Sequence, residues 1–224
     1  MYTPPMFKPD RSASLSFAEA RGFGTACAWD GKRPIASSLP FYVSYADDGT
    51  PMALFHVARN NPLIRAADGV TPWVLAVNGA DAYVTPDWYV SADQVPTWLY
   101  QIVHLTGPVR TLSEAELVVQ IDTLSAKFEN RMLPKKPWTS GKMTAARLEA
   151  LKKGIVGLAM RVEDVEGSFK LNQHKSEADY SAIANGLADM PDHGSQTIAQ
   201  LMREARPQAF AATTNETASI EGSM

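Results

Sequence analysis

The sequence has few of the features that secreted and membrane proteins carry. Its 224 residues include a single cysteine, Cys27, so no disulfide can form within the chain. Residues 1–14 lack the apolar core that a signal peptide needs, and no apolar run approaches the roughly 20 residues that span a bilayer. We therefore expect a cytoplasmic protein that does not enter a membrane.

The motifs of several common enzyme classes are also missing. The sequence has no Gly-x-Ser-x-Gly elbow, Walker loop or Gly-x-Gly-x-x-Gly turn, so hydrolase, P-loop and Rossmann readings lack support. Its histidines at 56, 104, 174 and 193 are far apart and have no Cys-x-x-Cys or His-x-x-x-His companion. Isolated structural histidines explain this spacing better than a metal site, and we predict no metal.

The formal net charge of −3 argues against a general nucleic-acid binder. One stretch, residues 131–153, is nevertheless strongly basic, and Glu149 is its only acidic residue. Its cations are Arg131, Lys135, Lys136, Lys142, Arg147, Lys152 and Lys153. Two interpretations remain open, contact with DNA phosphates or an ordinary solvated surface.

The first half of the chain predicts antiparallel β structure. Asp30-Gly31, Asp48-Gly49 and Asn78-Gly79 each separate β-prone runs, and such pairs favour tight hairpins. Seven runs with short turns favour a barrel or sandwich, and so a β-rich α+β fold class. The predicted strands cover residues 23–29, 34–45, 52–56, 73–77, 81–85, 97–109 and 154–162.

Helices are predicted in three places. Ser113 and Glu116 form a capping box, and apolar residues at helical spacing extend the helix over residues 114–130. A second helix begins at Ser176, and a third covers residues 196–206. Residues 208–224 have few large apolar side chains, so we predict a flexible tail.

Three clusters are candidates for binding. Residues 55–62 place Arg and Asn between a strand and a short helical pattern, which suits either a phosphate site or a solvated loop. Residues 169–173 combine a lysine with two carboxamides after a β run, which suits either a ligand or a polar turn. Tyr83, Trp88, Tyr89, Trp98 and Tyr100 suit either a slot for a planar ligand or core and interface.

Taken in order, these segments resemble the PaiB-type FMN-binding negative transcriptional regulators, a branch of the pyridoxamine-phosphate-oxidase-like split barrels. The resemblance extends from residue 1 to about residue 188. It is carried by Ala36-Ser37-Ser38-Leu39-Pro40, His56-Val57-Ala58-Arg59-Asn60-Asn61-Pro62, Ala82-Tyr83-Val84-Thr85-Pro86-Asp87-Trp88-Tyr89, Val95-Pro96-Thr97-Trp98-Leu99-Tyr100, Gly154-Ile155-Val156-Gly157 and Phe169-Lys170-Leu171-Asn172-Gln173-His174. The sequence departs from the pattern at Ser38, where relatives have His, and at Leu99, where they have Asn.

The resemblance implies a dimeric antiparallel split β-barrel with peripheral helices and with FMN in a groove between subunits. It implies an FMN-binding domain over residues 1–190, with the helix at 114–130 inserted. The residues beyond the resemblance predict a helical extension at 191–207 and the flexible tail at 208–224.

The chemistry of FMN ranks the matching residues. The phosphate would be held by Arg59, with Asn60, Ser37 and Ser38 as further donors. The pyrimidine edge would meet Lys170, Asn172 and Gln173. Trp98 or Tyr83 would cover the ring. His56 and Tyr100 are site candidates by residue type.

The family implies repression of genes, with the basic stretch at 131–153 as the candidate DNA contact. Two alternatives stay open. One is an FMN-dependent oxidoreductase of the pyridoxamine-phosphate-oxidase-like class, since split barrels often carry redox chemistry. The other is a haem-binding split barrel that uses one of the histidines as an axial ligand.

Overall fold

The computed structural model describes residues 1–214, with side chains to residue 210, and its chain folds into two compact units. Residues 11–77 and 103–166 form what we call the sheet unit. Residues 1–10, 78–102 and 167–214 form what we call the helix-pair unit. Each unit is therefore assembled from separate stretches of sequence.

Seven strands pair in the order β4-β1-β2-β3-β6-β5-β7, and β4 also pairs with β5. The pairs β1–β2, β2–β3, β1–β4, β3–β6 and β5–β6 are antiparallel, which confirms the predicted antiparallel β structure. The strands are β1 (Phe23–Trp29), β2 (Pro34–Tyr45), β3 (Pro51–Ala58), β4 (Asp68–Val84), β5 (Thr97–Thr111), β6 (Ile155–Arg161) and β7 (Asp164–Lys170).

Two of the three predicted hairpins are confirmed. Gly31 and Gly49 have φ of 92° and 78°, the left-handed region that their turns require. The hairpin predicted at Asn78-Gly79 is wrong, because β4 runs without reversal through both residues. Gly79 is absent from the positive-φ glycines of the described residues. Pairing with β1 and with β5 holds this strand extended despite its turn-prone dipeptide.

Sequence periodicity also missed strand β7. The segment Asp164–Lys170 contains only two large apolar residues, Val165 and Phe169. The sequence of this segment therefore lacks the alternation of apolar and polar residues that predicts a strand. The predicted strands at 73–77 and 81–85 are both parts of β4. The predicted and observed numbers of strands are therefore both seven, because β7 replaces the strand that this merger removes.

Five α-helices are described: α1 (Arg11–Arg21), α2 (Glu114–Glu129), α3 (Ala145–Lys152), α4 (Glu177–Ala188) and α5 (His193–Ala205). The capping box at α2 is confirmed, since the Ser113 hydroxyl accepts from the Glu116 amide and the Glu116 carboxylate accepts from the Ser113 amide. The sequence did not predict α1 or α3. No described helix is long and apolar enough to cross a membrane.

Core packing in the sheet unit follows the two-residue period of the strands. Phe41 of β2 and Phe55 of β3 are register partners, and both are fully buried. Removing a side chain of this size from water contributes roughly 1.5–3 kcal/mol. Helix α2 contacts β2, β3 and β6 and buries Leu117, Gln120 and Leu124.

The helix-pair unit has a separate core built around α4 and α5. Tyr180 of α4 is fully buried, and its hydroxyl donates to the Met202 carbonyl oxygen at 2.9 Å. The carboxylate of Asp179 accepts from the amides of Val90 and Ser91, at 2.8 and 2.9 Å. This carboxylate therefore fixes the loop before β5 against α4.

The C-terminal region is described in part. Residues Pro207–Thr214 form a 3₁₀ helix, and Phe210 packs against the core of the helix-pair unit. The remainder of the predicted flexible tail, residues 215–224, lies outside the described residues. The tail therefore stays a prediction.

Candidate functional site

The predicted site residues fall into both units. Ser37, Ser38, His56, Arg59 and Asn60 belong to the sheet unit. Tyr83, Trp98, Tyr100, Lys170, Asn172 and Gln173 belong to the helix-pair unit. Each set can be described from its own hydrogen bonds and burial.

A polar corner in the sheet unit joins β2 to the chain after β3. The Nδ2 of Asn61 donates to the Ser37 hydroxyl at 2.9 Å, and its Oδ1 accepts from the Leu63 amide at 3.0 Å. Asn61 thus caps the 3₁₀ helix Pro62–Ala66, whose proline stands at the first position as helix starts prefer. The expected strand-to-helix corner is therefore present, and Asn61 organises it.

Arg59 lies exposed at the same corner and is tied to the next strand. Its Nε donates to the Lys153 carbonyl oxygen, and its Nη2 donates to the Ile155 carbonyl oxygen at 3.1 Å. Its backbone amide donates to the Gly154 carbonyl oxygen at 2.8 Å. Since a guanidinium carries five N–H donors, several remain for an anion. The side chain is held in place while its charge faces solvent.

The Ser38 hydroxyl on β2 contacts a hydroxyl on the neighbouring strand β1. Ser38 and Thr25 are register partners, and their hydroxyl oxygens are 3.0 Å apart. Sequence reasoning named Asn60 and missed both Asn61 and Thr25. An Asn directly before Pro at a helix start signals an N-cap and could have identified Asn61. Thr25 had no comparable signal, because its contact depends on strand register.

His56 is half-buried on β3, and its ring contacts helix α2. Its Nδ1 lies 3.4 Å from the Nε2 of Gln120, a side chain with no exposed surface. Burial lowers the pKa of His56, and the hydrogen bond to Gln120 opposes that shift only in part. The ring is therefore neutral near pH 7. It lines a pocket of about 260 Å³ together with residues of α2 and α3.

Two aromatic rings meet in the helix-pair unit. Tyr83 and Trp98 pack edge to face with their centroids 6.1 Å apart and their planes at 69°. They remain 48% and 54% exposed, so part of each ring is accessible to a ligand. Both line a pocket of about 500 Å³. Tyr100 lines a neighbouring pocket of about 440 Å³ with Trp98.

Lys170 and the two carboxamides after it have different environments. Lys170 Nζ donates to the Thr97 hydroxyl at 2.6 Å, and burial lowers the pKa of its ammonium. Asn172 is buried in the left-handed region, with φ of 58°, and donates to the Tyr89 hydroxyl at 3.3 Å. The Gln173 carboxamide bonds the backbone through both of its polar atoms. Its Oε1 accepts from the Leu171 amide, and its Nε2 donates to the Phe169 carbonyl oxygen. Both carboxamides build the turn, and Lys170 keeps spare donors.

A further pocket contains none of the predicted residues. It has a volume of about 730 Å³ and lies in the sheet unit beside the start of α2, where Arg110 is paired with Glu116. Its other cation, Arg161, is paired with Asp48 at 2.8 Å. A pocket of this size suits a small molecule, but its two guanidinium groups already have carboxylate partners.

Comparison with known proteins gives a family match. The model of the family described as "Putative FMN-binding domain" matches residues 1–164. The chain is 31% identical over 205 residues to the Bacillus subtilis protein named "Protease synthase and sporulation protein PAI 2", a match that covers 91% of this chain and 97% of that protein. It is 27% identical to an uncharacterized protein of Emericella nidulans, over 54% of each chain.

Solved structures share the fold at low identity. A protein from Mycobacterium smegmatis described as FAD and haem binding superposes with a TM-score of 0.52 at 15% identity, covering 72% of this chain and 71% of that one. A conserved hypothetical protein from Mycobacterium tuberculosis superposes with a TM-score of 0.53 at 8% identity, covering 78% of this chain and 92% of that one. At such identities the likeness concerns the fold alone.

Proposed function

We propose that this chain, which belongs to the FMN-binding domain family that its sequence matches, is a PaiB-type regulator of gene expression. Because of that family membership, its cofactor is a flavin. The observation that carries this proposal is the near full-length match to the Bacillus subtilis protein named for protease synthesis and sporulation. A match over 91% of the chain includes the basic stretch at 131–153 as well as the predicted flavin residues.

The polar corner of the sheet unit fits the needs of a flavin phosphate. A phosphate near dianionic charge is best held by a guanidinium together with hydroxyl and amide donors. Arg59 supplies the charge, and its two backbone contacts reduce the entropy lost when it binds an anion. Ser37, Ser38 and Asn60 are the further phosphate donors in this proposal.

The side chains of the helix-pair unit suit the ring of a flavin. The half-exposed rings of Tyr83 and Trp98 would cover a face of the flavin, and Lys170 would bond its pyrimidine edge. Asn172 and Gln173 would act by shaping the turn that holds Lys170. When bound, the flavin supplies redox chemistry, and these side chains bind and orient it.

A homodimeric split barrel is part of the same proposal. The double pairing of β4, with β1 and with β5, supports a sheet that closes on itself. Phe23 and Trp29 lie at the two ends of the β1 face that also carries Thr25 and Cys27, and they are 49% and 55% exposed. Large exposed apolar side chains on one strand face favour a covered interface, and we assign that interface to a second copy.

Contact with DNA would use the basic stretch. Three of its cations have partners, since Arg131 donates to the Ala20 carbonyl, Lys135 pairs with Glu129, and Lys152 pairs with Glu149. The other four are exposed: Lys136, Lys142, Arg147 and Lys153. Four phosphate contacts would give a slope of about −3.6 in a plot of log binding constant against log salt concentration.

The proposed regulatory role is tested with promoter DNA from the host and the flavin-loaded protein. Replacing the four exposed cations by glutamine should abolish DNA binding at low salt, whereas glutamine at Lys8, Lys32, Arg33 and Arg65, exposed elsewhere, should not. If the unmodified protein fails to bind DNA at low salt but oxidises NAD(P)H, the chain is a flavin oxidoreductase instead.

A further inference from the structure

One pocket of the helix-pair unit combines aromatic rings with carboxylates. Its volume of about 500 Å³ lies within the roughly 300–1,000 Å³ of small-molecule sites. Three aromatic residues line it, Tyr83, Trp88 and Trp98, together with the two acidic residues Asp81 and Asp192. Among the described residues that line it, none is a lysine, an arginine or a histidine. The wall therefore brings negative charge to the pocket and no cation of its own.

The alternation of strand β4 places Asp81 and Tyr83 on the same face. Both are exposed, whereas Ala82 and Val84, on the other face, belong to the buried core of the helix-pair unit. Within the described part of the chain, no ion pair involves the carboxylate of Asp81 or that of Asp192. Both carboxylates thus keep their charge available to a ligand.

The position of Asp192 is fixed by the start of α5. Its Oδ1 accepts from the Ser195 amide at 2.8 Å, so the side chain is the N-cap of this helix. The hydrogen bonds from Ser195 lower the pKa of the Asp192 carboxyl, which is therefore ionised at neutral pH. The cap holds the carboxylate in place without neutralising it.

The aromatic part of the wall is also held in place. A Cβ at Gly186 of α4 would lie 2.6 Å from Cδ2 of the Trp88 ring, so this ring packs closely against the helix backbone. The rings of Tyr83 and Trp98 pack edge to face with their centroids 6.1 Å apart. A wall that is ordered before binding loses little conformational freedom when a ligand enters.

Aromatic faces and carboxylates both attract cations, and aromatic cages are known to hold quaternary ammonium groups. A metal ion needs more oxygen ligands than two carboxylates supply, and no group of three or more His, Cys, Asp or Glu side chains that could hold one occurs among the described residues. The rings suit a cation that carries apolar groups of its own. We propose that this pocket binds an organic cation, a substituted ammonium ion whose alkyl groups pack against the three rings.

The cation site adjoins the proposed flavin contact but does not depend on it. Trp98 also lines the neighbouring pocket of about 440 Å³ with Tyr100, so this side chain borders two spaces. One space can hold the cation while the flavin uses the other. The inference goes beyond the proposed regulatory function, because a cation needs neither flavin nor DNA in order to bind here.

Choline is the probe for the test, and its neutral counterpart is 3,3-dimethylbutan-1-ol, which has the same shape with carbon in place of the charged nitrogen. Saturation-transfer NMR follows the single sharp methyl resonance of each compound in the presence of the full-length protein as purified, at constant ionic strength. We expect choline to bind saturably and at least about tenfold more tightly than the alcohol.

Two charge-removing variants test the carboxylates. Asp81→Asn and Asp192→Asn should each weaken choline about tenfold and leave the affinity for the alcohol unchanged. Asparagine is as good an N-cap as aspartate, so the second variant keeps the start of α5. Tyr83→Leu, which removes a ring but keeps an apolar side chain, should weaken choline more than the alcohol.

Asp93→Asn is the matched control, since Asp93 is exposed in the same unit and does not line the pocket. It should bind choline as the parent does. Each variant is first checked for cooperative unfolding. Equal binding of choline and the alcohol, unchanged choline binding by both folded pocket variants, or the absence of saturable binding would overturn the proposal. A chain that fails to bind flavin or DNA should still bind choline, so the two failures are distinguishable.

Discussion

The Nη2 of Arg59 donates to the carbonyl oxygen of Ile155 at 3.1 Å, and this bond links the end of β3 to the start of β6. The guanidinium therefore has a structural partner before any ligand arrives. A side chain held in this way loses little conformational freedom on binding an anion. Because of this bond, a mutation at residue 59 should affect stability as well as the proposed phosphate binding, and the two effects need separate measurements.

Replacing Arg59 by alanine should weaken FMN binding by about 2 kcal/mol, or about thirtyfold, because a charged donor to the phosphate is lost. Arg59→Lys should lose less, since it keeps the charge but not the fork of donors. Fluorescence titration of apoprotein with FMN measures both. Riboflavin, which lacks the phosphate, should bind the parent and Arg59→Ala with nearly equal affinity.

The control is Arg33→Ala, which removes an exposed guanidinium from the turn between β1 and β2. Its FMN affinity should match that of the parent. If Arg59→Ala weakens riboflavin as much as FMN, Arg59 acts through the fold and not on the phosphate.

The Tyr83–Trp98 pair predicts a different combination of effects. Trp98→Ala should weaken both FMN and riboflavin about tenfold, because the ring is proposed to cover the flavin itself. It should change the free energy of unfolding by no more than about 1 kcal/mol, since Trp98 is 54% exposed. Titration and urea unfolding test the two statements, and Tyr45→Ala, at 58% exposure, is the matched control. Unchanged flavin affinity would remove Trp98 from the site.

Acid stability should depend on the Arg110–Glu116 pair at the start of α2. The side-chain hydrogen bond from Arg110, with further bonds from Ser113, lowers the pKa of Glu116 to about 2. A depressed carboxylate pKa stabilises the folded state above the unfolded pKa, roughly 4.3, and that contribution disappears as pH falls towards 2. Because both side chains are about half exposed, the contribution should not exceed about 1 kcal/mol.

Urea unfolding of the parent and of Glu116→Gln at pH 7, 5 and 3 measures this contribution. The variant should be less stable at pH 7 and should approach the parent at pH 3. Glu114→Gln, in the same helical turn, is the control. A constant difference between parent and Glu116→Gln across this range would show that the charge of Glu116 does not matter.

Gly107 should tolerate no side chain. A Cβ at this position of β5 would lie 1.8 Å from the Arg161 carbonyl oxygen, and both groups belong to the backbone of the sheet unit. Neither can move without breaking strand pairing, so Gly107→Ala should cost about 3 kcal/mol or more. Gly141→Ala, where the nearest neighbour is a side-chain atom at 3.8 Å, should be close to neutral. Thermal unfolding of both variants measures the two changes in stability, and a Gly107→Ala variant as stable as the parent would contradict the prediction.

The proposed dimer can be tested on β1. Replacing Phe23 and Trp29 by glutamate should convert a dimer into a folded monomer, because both side chains are about half exposed in the single chain and a covered interface cannot bury unpaired carboxylates. Sedimentation velocity with circular dichroism measures assembly and folding together. A parent that remains monomeric at high concentration, or a double variant that remains dimeric, contradicts this interface.

Local chemistry predicted much of the fold. The capping box at Ser113, the turns at Gly31 and Gly49, and the strands β1 and β2 follow from signals that lie within a few residues of each other. The continuation of β4 through Asn78-Gly79 does not, because pairing with strands distant in sequence overrides the turn preference.

The candidate site shows the same division. Family motifs suggested Arg59 and Ser37 as phosphate ligands, which stays a prediction, and they pointed to Asn60, whereas the asparagine that bonds Ser37 is Asn61. The role of Gln173 in bonding its own turn also depends on backbone geometry that the sequence does not reveal. Residue type can thus be predicted from sequence, whereas which neighbouring side chain faces a ligand depends on the fold.

The most direct test of the central claim is an absorbance spectrum of the full-length protein, taken after purification and again after incubation with FMN and desalting. The flavin assignment predicts bands near about 370 and about 450 nm that stay with the protein, in a ratio approaching one flavin per chain. The absence of both bands after reconstitution would contradict flavin binding, and with it the roles proposed for Arg59, Lys170 and Trp98.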